Sequence, residues 1–164
     1  MSSAMLHRLI TATDLAILHR LYMAAENNRF LDYDPIDVED FRSTFDALVR
    51  QQGTYLVIDG SHAIATYRLH FQAHRCAHVA MLSGLAIDPA LHRRGMGSAI
   101  LQRIFEIADM RGVRRVEILV EADNAVGLRF YEKNGFVREG TFRGAFRRRG
   151  EAHDVDEIAM ARRW

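Results

Sequence analysis

Residues 82–108 read LSGLAIDPALHRRGMGSAILQRIFEIA. The apolar run ending at Ile87, the break at Asp88-Pro89, and Ile100, Leu101, Ile104, Phe105 and Ala108 at helical spacing predict a buried strand, a turn and a helix over residues 98–111. Between turn and helix lies a basic loop, His92-Arg93-Arg94-Gly95-Met96-Gly97. Two glycines carry no side chain that would keep a ligand off the backbone. The helix start aims unpaired N–H groups and its positive dipole end at the same place. Such a loop suits an anion, in outline a pyrophosphate. Alone, Gly-x-Gly before a helix is equally a tight turn. A Walker loop needs lysine where Ser98 follows Gly97 directly, and a dinucleotide fingerprint needs a third glycine where Ile100 stands, although Glu117 lies at a workable distance for a ribose.

Working outward, the chain carries no Pro/Gly/Ser-rich linker or repeat, so residues 1–164 read as one domain. Upstream, the pattern predicts a strand over residues 5–9 and a helix capped by Thr13 or Asp14 and ending near Glu26. A loop follows over residues 27–35, then a helix from Asp37 that stops at Gly53. Asp59-Gly60 joins strands 55–58 and 63–71 as a tight hairpin, and a third strand covers residues 78–87. Downstream come a strand over 116–120, a short helix over 124–134, and strands 136–146 and 152–161 joined at Arg148-Arg149-Gly150. Antiparallel strands around a central strand–helix–strand unit make the class α/β with a mixed sheet.

The composition narrows the field. With 22 Lys+Arg against 21 Asp+Glu, the net charge of +1 provides no general field for nucleic acid. One cysteine, Cys76, excludes an internal disulfide and suits a reducing compartment; the start MSSAMLHRLITATD has no leader-like apolar run, so a cytoplasmic protein without membrane attachment is expected. His70, His74 and His78 recur every four residues, but a hairpin scatters such side chains, so no metal site is expected, and Cys76 reads as a buried or inert thiol. Arg143, Arg147, Arg148 and Arg149 read as a solvated turn ahead of a ligand for a carboxylate, a phosphate or RNA.

Two blocks, LAIDPALHRRGMGSAIL at 85–101 and EILVEADNAVGLRFYEKNGFVREG at 117–140, resemble the GNAT superfamily of acetyl-coenzyme-A-dependent N-acetyltransferases. The family's loop reads Gln/Arg-x-x-Gly-x-Gly/Ala; here His92 takes the first place and Arg93 and Arg94 keep the charge. Its second pattern, Asn-x-x-Ala/Gly-x-x-x-Tyr-x-x-x-Gly-Phe, is matched by Asn124, Gly127, Tyr131, Gly135 and Phe136. The whole chain, including its ending, looks like the branch holding bacterial L-amino-acid N-acetyltransferases and relatives of the ribosomal-protein N-terminal acetyltransferases. The resemblance implies a single α/β domain whose mixed, mostly antiparallel sheet has a central splayed parallel strand pair flanked by helices. It also implies a homodimer, acetyl-CoA as cosubstrate and no metal. It places pantetheine on the backbone of Leu85, Ala86 and Ile87, and the pyrophosphate on the amides of Arg93, Arg94, Gly95, Met96, Gly97 and Ser98. Asn124 then contacts the cofactor arm, Tyr131 lies near the sulfur, and an N–H near Ala86 faces the oxyanion.

Moving an acyl group from a thioester to an amine needs a neutral amine, a polarised carbonyl and a proton for the departing thiolate. A phenol with a reference pKa near 10 stays protonated, and a thiol near 8.5 is a credible acceptor, so Tyr131 is the expected general acid. The strand at 78–87 contains no carboxylate, leaving Glu26, Asp32, Asp34 and His70 as candidate bases. An α-amine costs roughly 3 kcal/mol less than a lysine side chain to deprotonate, so a weak base favours an α-amine acceptor with water taking the proton. In the family, the region at 27–34 walls the acceptor pocket; Arg29 or Arg68 would meet a carboxylate and Tyr33 an apolar side chain, as a small zwitterion requires. The expected acceptor is therefore a small-molecule amine, a free amino acid. A peptide or protein N-terminus, and a non-catalytic coenzyme-A-binding module, stand as alternatives.

Overall fold

A computed structural model describes residues 5–164; Met1–Ala4, the start of the segment read as free of a leader, lie outside the described residues. Among the described residues, seven strands form a mixed sheet in the order β1-β2-β3-β4-β5-β7-β6, and five α-helices accompany it. The ladders are antiparallel in β1–β2, β2–β3, β5–β7 and β6–β7 and parallel in β4–β5, matching the α/β class and mostly antiparallel sheet expected above. Two compact units make up the chain: residues up to Leu69 with Gly84–Ile100, and His70–Ser83 with Leu101–Trp164.

In the first unit, β1 (Leu6–Leu9), β2 (Thr54–Asp59) and β3 (His62–Phe71) carry α1 (Leu15–Met23), α2 (Ala25–Asn28) and α3 (Val38–Gln51). The helices put Leu18, Leu21, Tyr22, Phe41, Phe45 and Leu48 into one core with Leu56 and Ala86. Burying each such side chain contributes about 1.5–3 kcal/mol. Three sequence expectations are corrected. Asp14 stands at the start of α1 but does not cap it: its carboxylate accepts instead from Arg8 Nη1 and Nη2 (2.8 Å each) and from the Thr11 amide (2.7 Å). The helix read as running to Glu26 breaks at Ala24, whose ψ of 127° is extended; Asn27 takes over the exposed helix end by donating to the Leu21 carbonyl at 2.9 Å. α3 closes on Gln52 in a left-handed conformation (φ 51°) rather than on Gly53. Its start is as read, with Asp37 accepting from the Asp40 amide.

In the second unit, β5 (Arg115–Glu121) pairs with the start of β4 (Val79–Ile87) through Val79↔Arg115, Ala80↔Val116 and Met81↔Glu117, and the ladder does not extend to Leu82 and Ser83. α4 (Met96–Met110) starts two residues before the predicted Ser98, so Met96 and Gly97 sit in its first turn. α5 (Ala125–Lys133) is followed by β6 (Val137–Phe146) and β7 (Val155–Arg163), whose start falls three residues later than predicted. The three histidines are spread over β3, a single 3-10 turn at His74–Cys76 and the residue before β4, and Cys76 is exposed rather than buried. No group of three metal-ligating side chains forms among the described residues, and no helix there is long and apolar enough to cross a membrane.

Candidate active site

The basic loop keeps its amides open. His92 N–H bonds to the Pro89 carbonyl at 3.1 Å and Ala99 N–H to the Gly95 carbonyl at 3.2 Å; between them, where the backbone turns at residues 92–95, no amide from Arg93 to Ser98 makes a protein hydrogen bond of good geometry among the described residues. The turn that exposes them runs through the left-handed region at Arg93 (φ 61°) and Gly95 (φ 78°), and a Cβ added to Gly95 would meet nothing within 4 Å. A successive row of N–H groups at a helix start, with open space over its glycine and two flanking arginines, fits the diphosphate of a nucleotide-linked thioester.

The strand leading into the loop is braced on one side. The Ile87 carbonyl accepts from Asn27 Nδ2 and His92 Nε2, both at 3.0 Å, so its two lone pairs are used inside the protein. This gives work to His92, the residue that departs from the family's loop pattern, and to Asn27, which sequence reading left as a loop residue. Asp88 accepts from the Ala90 amide at 3.0 Å and from Arg20 at 2.7 Å, pinning the turn.

Of the three expected substrate residues, the structure brings two together. Arg68 donates from Nη1 to Tyr33 Oη at 3.3 Å and from Nη2 to Asp32 Oδ2 at 2.8 Å. Arg29 is exposed, its guanidinium 5.9 Å from the ring centre of Phe30. The unforeseen members are Tyr22 and Gly84. Tyr22 is fully buried, stacked on Tyr33 at 5.7 Å, and neither its hydroxyl nor Arg68 Nε has a hydrogen-bond partner. Both atoms press on Gly84, whose φ is +58° inside β4: a Cβ there would stand 3.0 Å from Tyr22 Oη and 3.2 Å from Arg68 Nε. Burial pushes both phenols up from their ordinary pKa, so they stay neutral. Burial alone would pull Arg68 down, but the Asp32 carboxylate beside it holds the guanidinium charged.

In the second unit, Asn124 stands at the N-cap of α5 and its Oδ1 accepts from the Gly127 amide at 2.9 Å. A Cβ at Gly127 would fall 2.5 Å from Asn124 Nδ2, so any side chain there would require the Asn124 amide to shift. Tyr131 packs edge-on against Phe130 and Phe136 at 5.0 and 5.3 Å. Burial, and then the charge of Glu121, push its pKa up, so it is firmly a phenol. Glu121, at the end of β5 and only 9% exposed, escaped the sequence reading because an alternating strand does not tell which of its faces is closed. The Arg-rich turn is less solvated than expected: Arg148 donates to both oxygens of Asp123 (2.8 and 3.1 Å) and lies over Phe146.

The acetyltransferase (GNAT) family model matches residues 15–136. The chain belongs to the GNAT family. One GNAT relative, the [ribosomal protein bS18]-alanine N-acetyltransferase of Salmonella typhimurium strain LT2, is 35% identical over 82 residues, covering 50% of this chain and 54% of the relative. Another, the L-amino acid N-acetyltransferase AaaT of Escherichia coli strain K12, is 38% identical over 92 residues, covering 56% and 55%. The chain thus spans about half the length of these curated relatives. Among solved structures, the GNAT fold is matched by the Vibrio cholerae spermidine N-acetyltransferase in complex with CoA and spermine, with a TM-score of 0.79 at 17% identity over 96% of this chain and 94% of the other.

Proposed function

We propose that this GNAT protein transfers an acetyl group from acetyl-CoA to the α-amine of a free amino acid or a similar small zwitterion. The observation that carries the donor half is the run of six amides from Arg93 to Ser98 at a helix start, none of them in a protein hydrogen bond of good geometry. The acceptor half rests on Arg68, a charged guanidinium set among Tyr22, Tyr33 and Asp32, which suits a carboxylate beside an amine. The L-amino-acid acetyltransferase among the relatives points the same way.

In the reaction the amine nitrogen attacks the thioester carbon and the carbon–sulfur bond breaks. The nitrogen gives up a proton and the thiolate gains one, so the net change is movement of the acyl group. Tyr131 is assigned as the group that faces the leaving sulfur. Its raised pKa makes it first a hydrogen-bond donor that steadies the thiolate, with proton delivery completing as the thiol forms. Asn124 Oδ1 caps α5 with one lone pair, and Nδ2 is the donor assigned to the cofactor arm.

The protein-N-terminus reading is favoured by the ribosomal-protein-alanine N-acetyltransferases among the relatives. A panel of free amino acids, dipeptides and polyamines, followed by release of free thiol, decides between the two, and calorimetry with acetyl-CoA and CoA tests the cradle. Turnover of free amino acids with no preference for dipeptides is the expected result. CoA uptake with no thiol release from any amine would leave a binding module, and no uptake at all would overturn the donor assignment.

A further inference from the structure

Arg68 is an under-satisfied cation. Its side chain is 14% exposed, yet its fork makes one short bond, to Asp32, and one long bond, to the Tyr33 hydroxyl, while Nε turns inward with no partner. A buried guanidinium is matched best by a carboxylate that takes two N–H groups side by side. Asp32 does not do this: one of its oxygens reaches Nη2, and its side chain is 67% exposed. An ion pair whose acid stands largely in water is held weakly and exchanges readily for a better ligand.

The loop does not depend on that pair for its shape. Asn28 Nδ2 donates to the Tyr33 carbonyl at 3.0 Å, the Phe30 and Leu31 amides close on Asn27 and Asn28, and the Tyr33 ring stacks on Tyr22 and meets Phe41 edge-on. Asp32 can therefore leave Arg68 without unpacking its neighbours. We propose that Asp32 is a built-in stand-in for the acceptor's carboxylate, holding Arg68 until a zwitterion displaces it and so tuning the preference for amines with a carboxylate over amines without one. The inference rests on the amino-acid reading above, and Asp32 becomes a specificity-determining residue rather than the base.

The test compares the wild-type chain with Asp32→Asn, which keeps the side-chain volume and removes the charge. Propionate, which has a carboxylate and no amine, is titrated by calorimetry. In parallel, KM is measured for the amino acids that turn over and for their decarboxylated amines. Asp32→Asn is expected to bind propionate about three- to fivefold more tightly, the scale of one exposed ion pair, and to lower KM for amino acids relative to the matching amines by the same factor. The gain disappears when Arg68→Gln is added. Propionate affinity that is unchanged, weakened or undetectable in both chains overturns the proposal, as does a collapse of kcat at constant KM, which would make Asp32 a proton acceptor. Tighter propionate binding by the variant without amino-acid turnover would instead sink the acceptor reading while leaving the carboxylate exchange at Arg68 standing.

Discussion

Two residues show how environment overrides chemical type. Tyr131 has the phenol expected of a proton donor, but its burial among aromatic rings makes the phenolate costly, so the side chain serves through a hydrogen bond as much as through its acidity. Tyr131→Phe keeps the ring and its packing; kcat is expected to fall about a hundredfold, the low end of what a positioned proton donor supplies, with CoA affinity retained. Thiol-release kinetics and calorimetry check the two halves, and an unchanged kcat would remove Tyr131 from the mechanism. Gly84 is the second case. Its left-handed backbone costs a side-chain-bearing residue about 1–2 kcal/mol, and a methyl group there would also push against Tyr22 Oη. Gly84→Ala is expected to destabilise the chain by at least that amount in urea titrations and to raise KM for zwitterionic acceptors, because Arg68 is displaced with it.

At the scale of elements, boundaries were less legible than the elements themselves. Apolar periodicity marked α1, α3, α4 and α5, and Asp-Gly marked the β2–β3 hairpin, because both signals come from neighbours along the chain. The ends were decided by partners far away or by competing bonds. Asp14 is a sound N-cap residue by type, yet Arg8 on β1 presents two donors to it and the carboxylate turns there. That junction is testable by pH. The Arg8 guanidinium holds the Asp14 carboxyl down at about 2, below its ordinary value near 4. A depressed folded pKa stabilises the protein above the unfolded value, and the gain is lost as pH falls from about 4 to 2. The contribution at neutral pH is about 2 kcal/mol. Asp14→Asn should therefore lower stability by about that amount at pH 7, and the gap to wild type should shrink on acidification. An equal gap at pH 7 and pH 2, by urea midpoints, would remove the ion pair as its cause.

For the whole molecule, binding and stability are linked. A chain that takes acetyl-CoA on the Arg93–Ser98 amides only when folded gains about 2.7 kcal/mol at a ligand concentration of 100 Kd, read as an upward shift of the melting temperature. Gly95→Val forces a branched residue into a φ of +78° and fills the space above the loop, so the shift is expected to be largely lost at the same CoA concentration. A shift of unchanged size would mean that CoA is held elsewhere. The sequence by itself determined the mixed α/β class, the open basic loop before a helix, and the two linked motifs that place the chain in the GNAT family, since each depends on spacing and backbone geometry within a short stretch. Only the tertiary structure decided that Arg68 belongs with Tyr22, Asp32, Tyr33 and Gly84, that Asn27 and His92 share the Ile87 carbonyl, and that Glu121 is closed off beside Tyr131. Those residues lie far apart along the chain, and the cost of burying a charge or leaving a donor unpaired exists only once packing has removed the water around it.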